Sequence, residues 1–199
     1  MDKETTRKMG SSEFQAWQTP RPFFEAVERL MVEKYGLFFD GENPFFELDA
    51  AASADNRLAQ KFFSEERSGL VEEWHGRVWC NPPYNQLKAF ALKAFQESQE
   101  RGALVALLIP ARTDTAAFQD IVSRAAEIRF IRGRLSFTRP EDQGASDPAV
   151  FPSALVIFDR DAKDRRVVFW NWRDGGAQLE AFAEPKINTF IQGLNSTIL

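Results

Sequence analysis

Arg77-Val78-Trp79-Cys80-Asn81-Pro82-Pro83-Tyr84 is the stretch on which the reading of this chain turns. Its first four residues make a buried strand, and the two prolines stop it, because proline has no N–H to give to a sheet ladder. Leu87, Phe90, Ala91, Ala94 and Phe95 then recur at helical spacing until Gly102. Leu104-Val105-Ala106-Leu107-Leu108-Ile109 follows, the most hydrophobic stretch of the chain, and reads as a central strand of a parallel sheet, buried on both faces.

Towards the N-terminus, Phe45–Asp49 is a short apolar run ending in an acid and opening into the small residues Ala50-Ala51-Ala52-Ser53, which predicts a strand and a tight turn. A short helix near Asp55–Gln60 and a brief strand at Lys61–Ser64 are expected next. Further back, Thr19 followed by Pro20 has the form of an N-cap with proline in the first turn, and Phe23, Phe24, Val27, Leu30 and Met31 continue as an amphipathic helix to Gly36. Residues 1–13 lack periodicity and read as a loose tail.

Towards the C-terminus the pattern predicts a helix over 115–124, a strand at Glu127–Ile131 and a polar loop from Thr138 to Pro148. Strands at Ala154–Phe158 and Val167–Trp172 are expected to close the sheet as an antiparallel pair. Alternating strands and helices define a single three-layer α/β domain with a mostly parallel sheet. Its expected limits are 14–175, with a partly helical extension over 176–199. Ligands of such sheets sit beyond the carboxyl ends of the strands, and both Asp49 and Asn81 fall there.

The chain has 199 residues, 44% of them hydrophobic, enough for one substantial core. One cysteine, Cys80, excludes an internal disulfide, and one histidine, His75, leaves no metal cluster of the Cys/His type, so chemistry without a metal is expected. No apolar run approaches the roughly 20 residues that span a bilayer, and the start Met1-Asp2-Lys3-Glu4 lacks the apolar centre of a secretory signal. A cytoplasmic location with no membrane partner is the expectation. The net charge of −4 runs against nucleic acid, yet seven arginines against three acids between Arg101 and Arg139 leave room for a local basic surface.

Asn81-Pro82-Pro83-Tyr84 suits a planar exocyclic amino group such as that of adenine. The lone pair of such a nitrogen is delocalised into its ring, so it reacts when acceptors receive both N–H groups and hold it towards tetrahedral geometry. The Asn81 side-chain oxygen and the Pro82 carbonyl are two such acceptors, and the prolines fix their direction in advance. Tyr84 would lie on the face of a flipped base, a contact worth roughly 1–3 kcal/mol.

In these segments the chain resembles the amino methyltransferases, most closely the phage-type DNA N6-adenine methyltransferases. The likeness runs through Trp17-Gln18-Thr19-Pro20, Leu48-Asp49-Ala50-Ala51-Ala52, Gly69-Leu70 with Trp74, Trp79 to Tyr84, Ile109 to Asp114 and Ile131 to Phe137, in that order. The resemblance implies a Rossmann-like domain that uses S-adenosylmethionine and acts on double-stranded DNA. It places Trp17, Thr19, Pro20, Asp49, Ala50 and Asn81 at the cofactor and Asn81, Pro82, Pro83 and Tyr84 at the target base. Physically, a carboxylate at Asp49 suits a sulfonium and an aromatic at Trp17 suits an adenine or methionine portion. Where many methyltransferases carry a glycine-containing loop after the first strand, this chain has Asp-Ala-Ala-Ala-Ser.

Other assignments stay open on the residues alone. Asp49 has a second reading as an N-cap. Arg112 and Asp114 either touch substrate or close a loop by pairing. Arg132 and Arg134, with Arg129 and Arg139, are phosphate contacts or a solvated edge. Glu65 and Glu66 are candidates for the acid that binds the cofactor ribose, Cys80 reads as a buried strand residue, and Trp170 and Trp172 as core. The Thr138–Pro148 loop faces DNA or is disordered without it. The same site would also accept an adenine in RNA or a glutamine amide in a protein, and a non-catalytic nucleic-acid-binding module would keep the fold.

Overall fold

The computed structural model describes residues 18–36, 44–138, 146–173 and 177–180. Helix α1 (Arg21–Tyr35) precedes strands β1 (Leu48–Asp49), β2 (Lys61–Phe62) and β3 (Arg77–Cys80). A 3-10 turn at Tyr84–Gln86 leads into α2 (Leu87–Arg101), then β4 (Leu104–Pro110), α3 (Ala116–Val122) and β5 (Glu127–Ile131). Strands β6 (Ser136–Thr138), β7 (Ser146–Pro148), β8 (Ser153–Phe158), β9 (Arg166–Asn171) and β10 (Ala177–Glu180) complete the described order. The expected tail at 1–13 lies outside the described residues. Of the extension expected over 176–199, only 177–180 is described, and it is strand.

Among the described residues eight strands form one mixed sheet in the order β10-β9-β5-β8-β4-β3-β1-β2. Pairing is parallel for β1 with β2, β1 with β3, β3 with β4 and β5 with β9. It is antiparallel where β8 meets β4 and β5, and where β10 meets β9. This corrects the expected antiparallel pair of C-terminal strands. Strand β8 inserts between β4 and β5, and β9 lies outside β5, parallel to it. The physical reason is burial: all six residues of Ser153–Phe158 are buried, as a central position requires, whereas β9 alternates and leaves Phe169 exposed.

Alternation along β4 sorts the core into two clusters. Val105, Leu107 and Ile109 pack with Phe90, Ala91 and Ala94 of α2 and with Phe118 and Ile121 of α3. Ala106 and Leu108 pack with Phe23, Phe24, Val27 and Met31 of α1. The apolar spacing of α1 is therefore read correctly, and the left-handed Gly36 and Gly102 (φ 64° and 68°) end α1 and α2 where expected. Among the described residues no helix is long and apolar enough to cross a membrane.

Three further expectations change. Pro20, not Thr19, occupies the cap position of α1, and the Thr19 hydroxyl is engaged elsewhere. No helix forms over 55–60. Asn56 Oδ1 accepts from Ser53 N at 2.7 Å and Asp49 Oδ2 accepts from Leu58 N at 3.0 Å, so side chains take the backbone groups that a helix would use. The two ends of the Thr138–Pro148 loop pair as the β6–β7 hairpin, while residues 139–145 lie outside the described residues.

Leu107 is fully buried at the centre of the sheet. Leu107→Ala is expected to lower the unfolding free energy by about 3 kcal/mol, read from urea denaturation at constant m-value.

Candidate active site

Parallel pairing sets Leu48 and Asp49 beside Val78 and Trp79, and Trp79 and Cys80 beside Ala106 and Leu107. Strands β1, β3 and β4 therefore end at one edge, and Ala50, Asn81 and Ala111 leave the sheet there. Thr19, Asp49, Asn81 and Pro83 line one cleft at this edge, four of the expected site residues brought together. Gln18, Ala51, Asn56, Leu58 and Trp79 line it as well. Gln18 and Trp79 had a signal in their neighbours Thr19 and Cys80-Asn81. Asn56 and Leu58 had none, because a turn delivers them.

The Asp49 side chain is buried, and its carboxylate accepts from Leu58 N at 3.0 Å and from Ala51 N at 3.4 Å. It organises the loop after β1 and caps no helix. Burial pushes its carboxyl up to about 6 from the ordinary 3.8, and the two N–H donors hold it back only in part. The loop is braced from below. A Cβ at Gly69 would stand 2.2 Å from the Ala50 carbonyl oxygen, so only glycine allows this approach. Trp74 Nε1 donates to Gly69 O at 2.8 Å, and Trp74 N donates to the buried Glu97 carboxylate at 3.1 Å.

Asn81 directly follows β3, and its Nδ2 donates to Thr19 Oγ1 at 3.0 Å. Pro83 is extended (φ −60°, ψ 136°), and its carbonyl accepts from Gln86 N at 2.9 Å, which turns the chain into α2. Tyr84 opens that turn half-buried, its hydroxyl pushed up to about 12 by burial and so protonated at neutral pH. Pro20, Ala50, Pro82 and Tyr84 do not line the cleft. The Pro20 carbonyl accepts from Phe23 N and Phe24 N at the start of α1, and Ala50 N donates to Trp79 O at 2.9 Å. Trp17 lies outside the described residues.

Arg112, Arg132 and Arg134 all follow strands that end at this edge, but outside the cleft. Arg112 is exposed with its guanidinium 5.1 Å from the Phe151 ring, so it does not close a loop by pairing with Asp114. Arg132 is exposed. Arg134 Nη1 donates to Ala149 O and Val150 O at 3.1 and 2.6 Å and fastens the segment after β7. Arg129 is no phosphate contact: it is buried and ion-paired with Glu127, because its position in β5 faces the core on one side of the sheet, over the Trp170 ring. Arg139 lies outside the described residues. Arg173, which sequence reasoning passed over, joins the edge at the end of β9 and stacks on Trp172 at 4.5 Å. Glu65 and Glu66 are exposed beyond β2 and away from the cleft lining. Cys80 is a buried strand residue whose thiol is raised by burial and by Asp49. Trp170 is core, and Trp172 is half-buried against Phe23 at 5.5 Å.

A mixed α/β sheet with a polar cleft at its carboxyl edge, lined by Asn81 and Pro83 of Asn-Pro-Pro-Tyr, is consistent with the methyltransferase class. The chain belongs to the DNA N-6-adenine-methyltransferase (Dam) family, which it matches over residues 6–177. It is 36% identical over 123 residues to a DNA N-6-adenine-methyltransferase of Escherichia phage T1, covering 60% of this chain and 46% of that protein. It is 30% identical over 161 residues to a DNA N-6-adenine-methyltransferase of Haemophilus phage HP1, covering 80% of this chain and 85% of that protein. The chain thus spans about half the length of the first relative and most of the second.

Gly69→Ala forces the Ala50 carbonyl to move and is expected to cost about 2 kcal/mol, read as a lower melting temperature. Folded Asp49 holds its proton more tightly than the unfolded chain does, so its contribution to stability falls as pH rises from about 4 to about 6. Unfolding titrations at pH 4 and 6.5 are expected to show a loss on the order of 3 kcal/mol that Asp49→Asn lacks.

Proposed function

We propose that this chain transfers a methyl group from S-adenosylmethionine to the N6 amino group of adenine in double-stranded DNA, on a Rossmann-like three-layer domain over residues 14–175 to which β10 adds a strand. The observation that carries the reading is the placement of Asn81 at the end of β3, in one cleft with the buried carboxylate of Asp49, in a chain of this family.

The donors and acceptors of the cleft fit the cofactor. Asp49 spends one acceptor direction of each oxygen on Leu58 N and Ala51 N, and a carboxylate has about four, so lone pairs remain for a cationic ligand. Gln18, Asn56 and Thr19 add amide and hydroxyl groups. When bound, S-adenosylmethionine supplies a methyl group already activated on a sulfonium. Because Asp49 must be ionised to attract that cation, cofactor affinity rises as pH passes about 6.

The remaining work falls to the chain. Asn81 Oδ1 accepts one N6 hydrogen and the Pro82 carbonyl accepts the other, which draws the amino lone pair out of conjugation. Pro82 and Pro83 restrict the turn, so neither acceptor reorganises during the reaction. Tyr84 stacks on the base after it leaves the duplex. Arg112, Arg132, Arg134 and Arg173 face the phosphates along the same edge. A DNA substrate puts the enzyme in the cytoplasm of a bacterial cell.

Expression in a host that lacks adenine methylation, with nucleoside mass spectrometry of its DNA and RNA, is expected to show N6-methyladenine in DNA. Asn81→Ala, folded and cofactor-bound, is expected to lose 100-fold or more of the rate. Folded wild-type protein that leaves host DNA unmethylated, or an Asn81→Ala variant near the wild-type rate, overturns the reading.

A further inference from the structure

The cleft lies on one side of Asn81. Asp49, Ala51, Asn56 and Leu58 reach it from β1 and the loop beyond, and among the described residues none that follows β4 lines it. A base that presents its amino group to Asn81 is therefore met on the other side by what stands beyond β4. Strand β4 pairs with β3 and runs three residues past the level of Cys80, so the chain after it stands about 10 Å further out and one strand spacing to the side. Arg112 is in that place. Its guanidinium rests 5.1 Å from the centre of the Phe151 ring and makes no hydrogen bond or ion pair among the described residues. The half-buried ring is held from both sides. Ala111 N donates to Pro152 O at 2.7 Å, which sets Arg112 opposite Phe151, and Arg134 Nη1 donates to Ala149 O and Val150 O just before the ring. Arg112 thus keeps its N–H donors for a ligand and has a fixed support beneath them.

We propose that Arg112 clamps a phosphate flanking the flipped adenine, and that Phe151 is a positioning residue that holds the guanidinium in place for it. The proposal rests on the chain methylating adenine in duplex DNA, and it singles out, among the arginines of this edge, the one beside the target. An adenine inserted amino group first carries its sugar and phosphates outwards, to the level at which β4 delivers Arg112. Arg132 and Arg173 follow β5 and β9, which stand two and three strands beyond β4, so they meet the phosphates of other nucleotides. A planar guanidinium offers two parallel N–H groups to two phosphate oxygens, and stacking on a ring leaves those in-plane donors free. Holding the phosphate beside the target opposes return of the base into the duplex, so the clamp acts on methylation as well as on affinity.

Duplexes in which one phosphate at a time is replaced by an uncharged methylphosphonate, scanned on both strands around the adenine that wild type methylates, test the pair. Wild type is expected to lose about 10-fold in kcat/KM at one phosphate flanking that adenine. Arg112→Ala is expected to lose less than about 2-fold there, because the charge that met the phosphate is already gone. On unmodified duplex, Arg112→Ala is expected to cost about 10-fold and to lower the slope of log Kd against log salt by about 1. Phe151→Leu keeps the charge, so the slope stays at its wild-type value while kcat/KM falls about 3- to 5-fold. Phe151→Tyr is expected to return the rate to within about 2-fold, and the cost of Phe151→Leu to disappear at the neutral phosphate. If Phe151→Leu does not fold, Phe151→Met makes the same comparison. Three results overturn the clamp and leave the methyl transfer standing: no phosphate that separates wild type from Arg112→Ala, one that lies more than a nucleotide from the adenine, or a wild-type rate in Phe151→Leu. Folded wild type that leaves duplex DNA unmethylated overturns both.

Discussion

Parallel pairing of β1, β3 and β4 is the constraint from which the site follows. Because Asp49 pairs with Trp79 and Cys80 with Leu107, three strands release their chains at one edge, β1 and β3 within one residue of each other and β4 three residues further on. Two prolines after Asn81 prevent β3 from running on, so Asn81 emerges where the sheet ends and backbone acceptors are free to meet a ligand. A strand one residue longer would bury the asparagine in the ladder. The apolar cores on the two faces hold this edge in place, with Leu107 and Ile109 against α2 and Leu108 against α1.

Buried carboxylates divide by what surrounds them. Glu97 accepts from Trp74 N and is ion-paired with Lys93 at 2.5 Å and Arg101 at 3.1 Å, which ties the loop before β3 to α2. Glu127 is paired with Lys34 at 2.5 Å and with Arg129, which ties α1 to β5. Such pairs recover the cost of burial by mutual attraction and serve mainly to fix which elements meet. Asp49 has backbone N–H donors but no ion-pair partner among the described residues. Burial raises its carboxyl, and the two N–H donors offset this only in part.

The segment that carries Gln18 and Thr19 couples two parts of the molecule. Gln18 is bridged to the last residue of β6, and Thr19 to the asparagine beyond β3. The hairpin β6–β7 is itself joined to β5 through the turn at Arg132–Leu135, where Arg134 fastens the strand that returns. Exposed Arg132 and Arg173 lie at the same edge of the sheet as the cleft, at the ends of β5 and β9, although the chain as a whole is acidic.

Much of this was written locally in the sequence. The helix Arg21–Tyr35, the strand Glu127–Ile131 and the break at Asn81-Pro82-Pro83 depend on periodicity, glycine and proline, which act over a few residues. The position of Asp49 and Asn81 at strand ends was legible for the same reason. What the sequence could not carry was the order of strands. Ser153–Phe158 shows that it is buried, but only competition among all strands for partners puts it between β4 and β5. Nor could it show that Arg129 turns inward to Glu127, or that Asn56 and Leu58 reach the cleft. The bond between Thr19 and Asn81 is the clearest instance: a local reading makes Thr19 a helix cap, and only the fold brings within 3.0 Å two residues that are far apart along the chain. Local propensities decide which elements form, whereas partners chosen across the chain depend on packing that no short stretch contains.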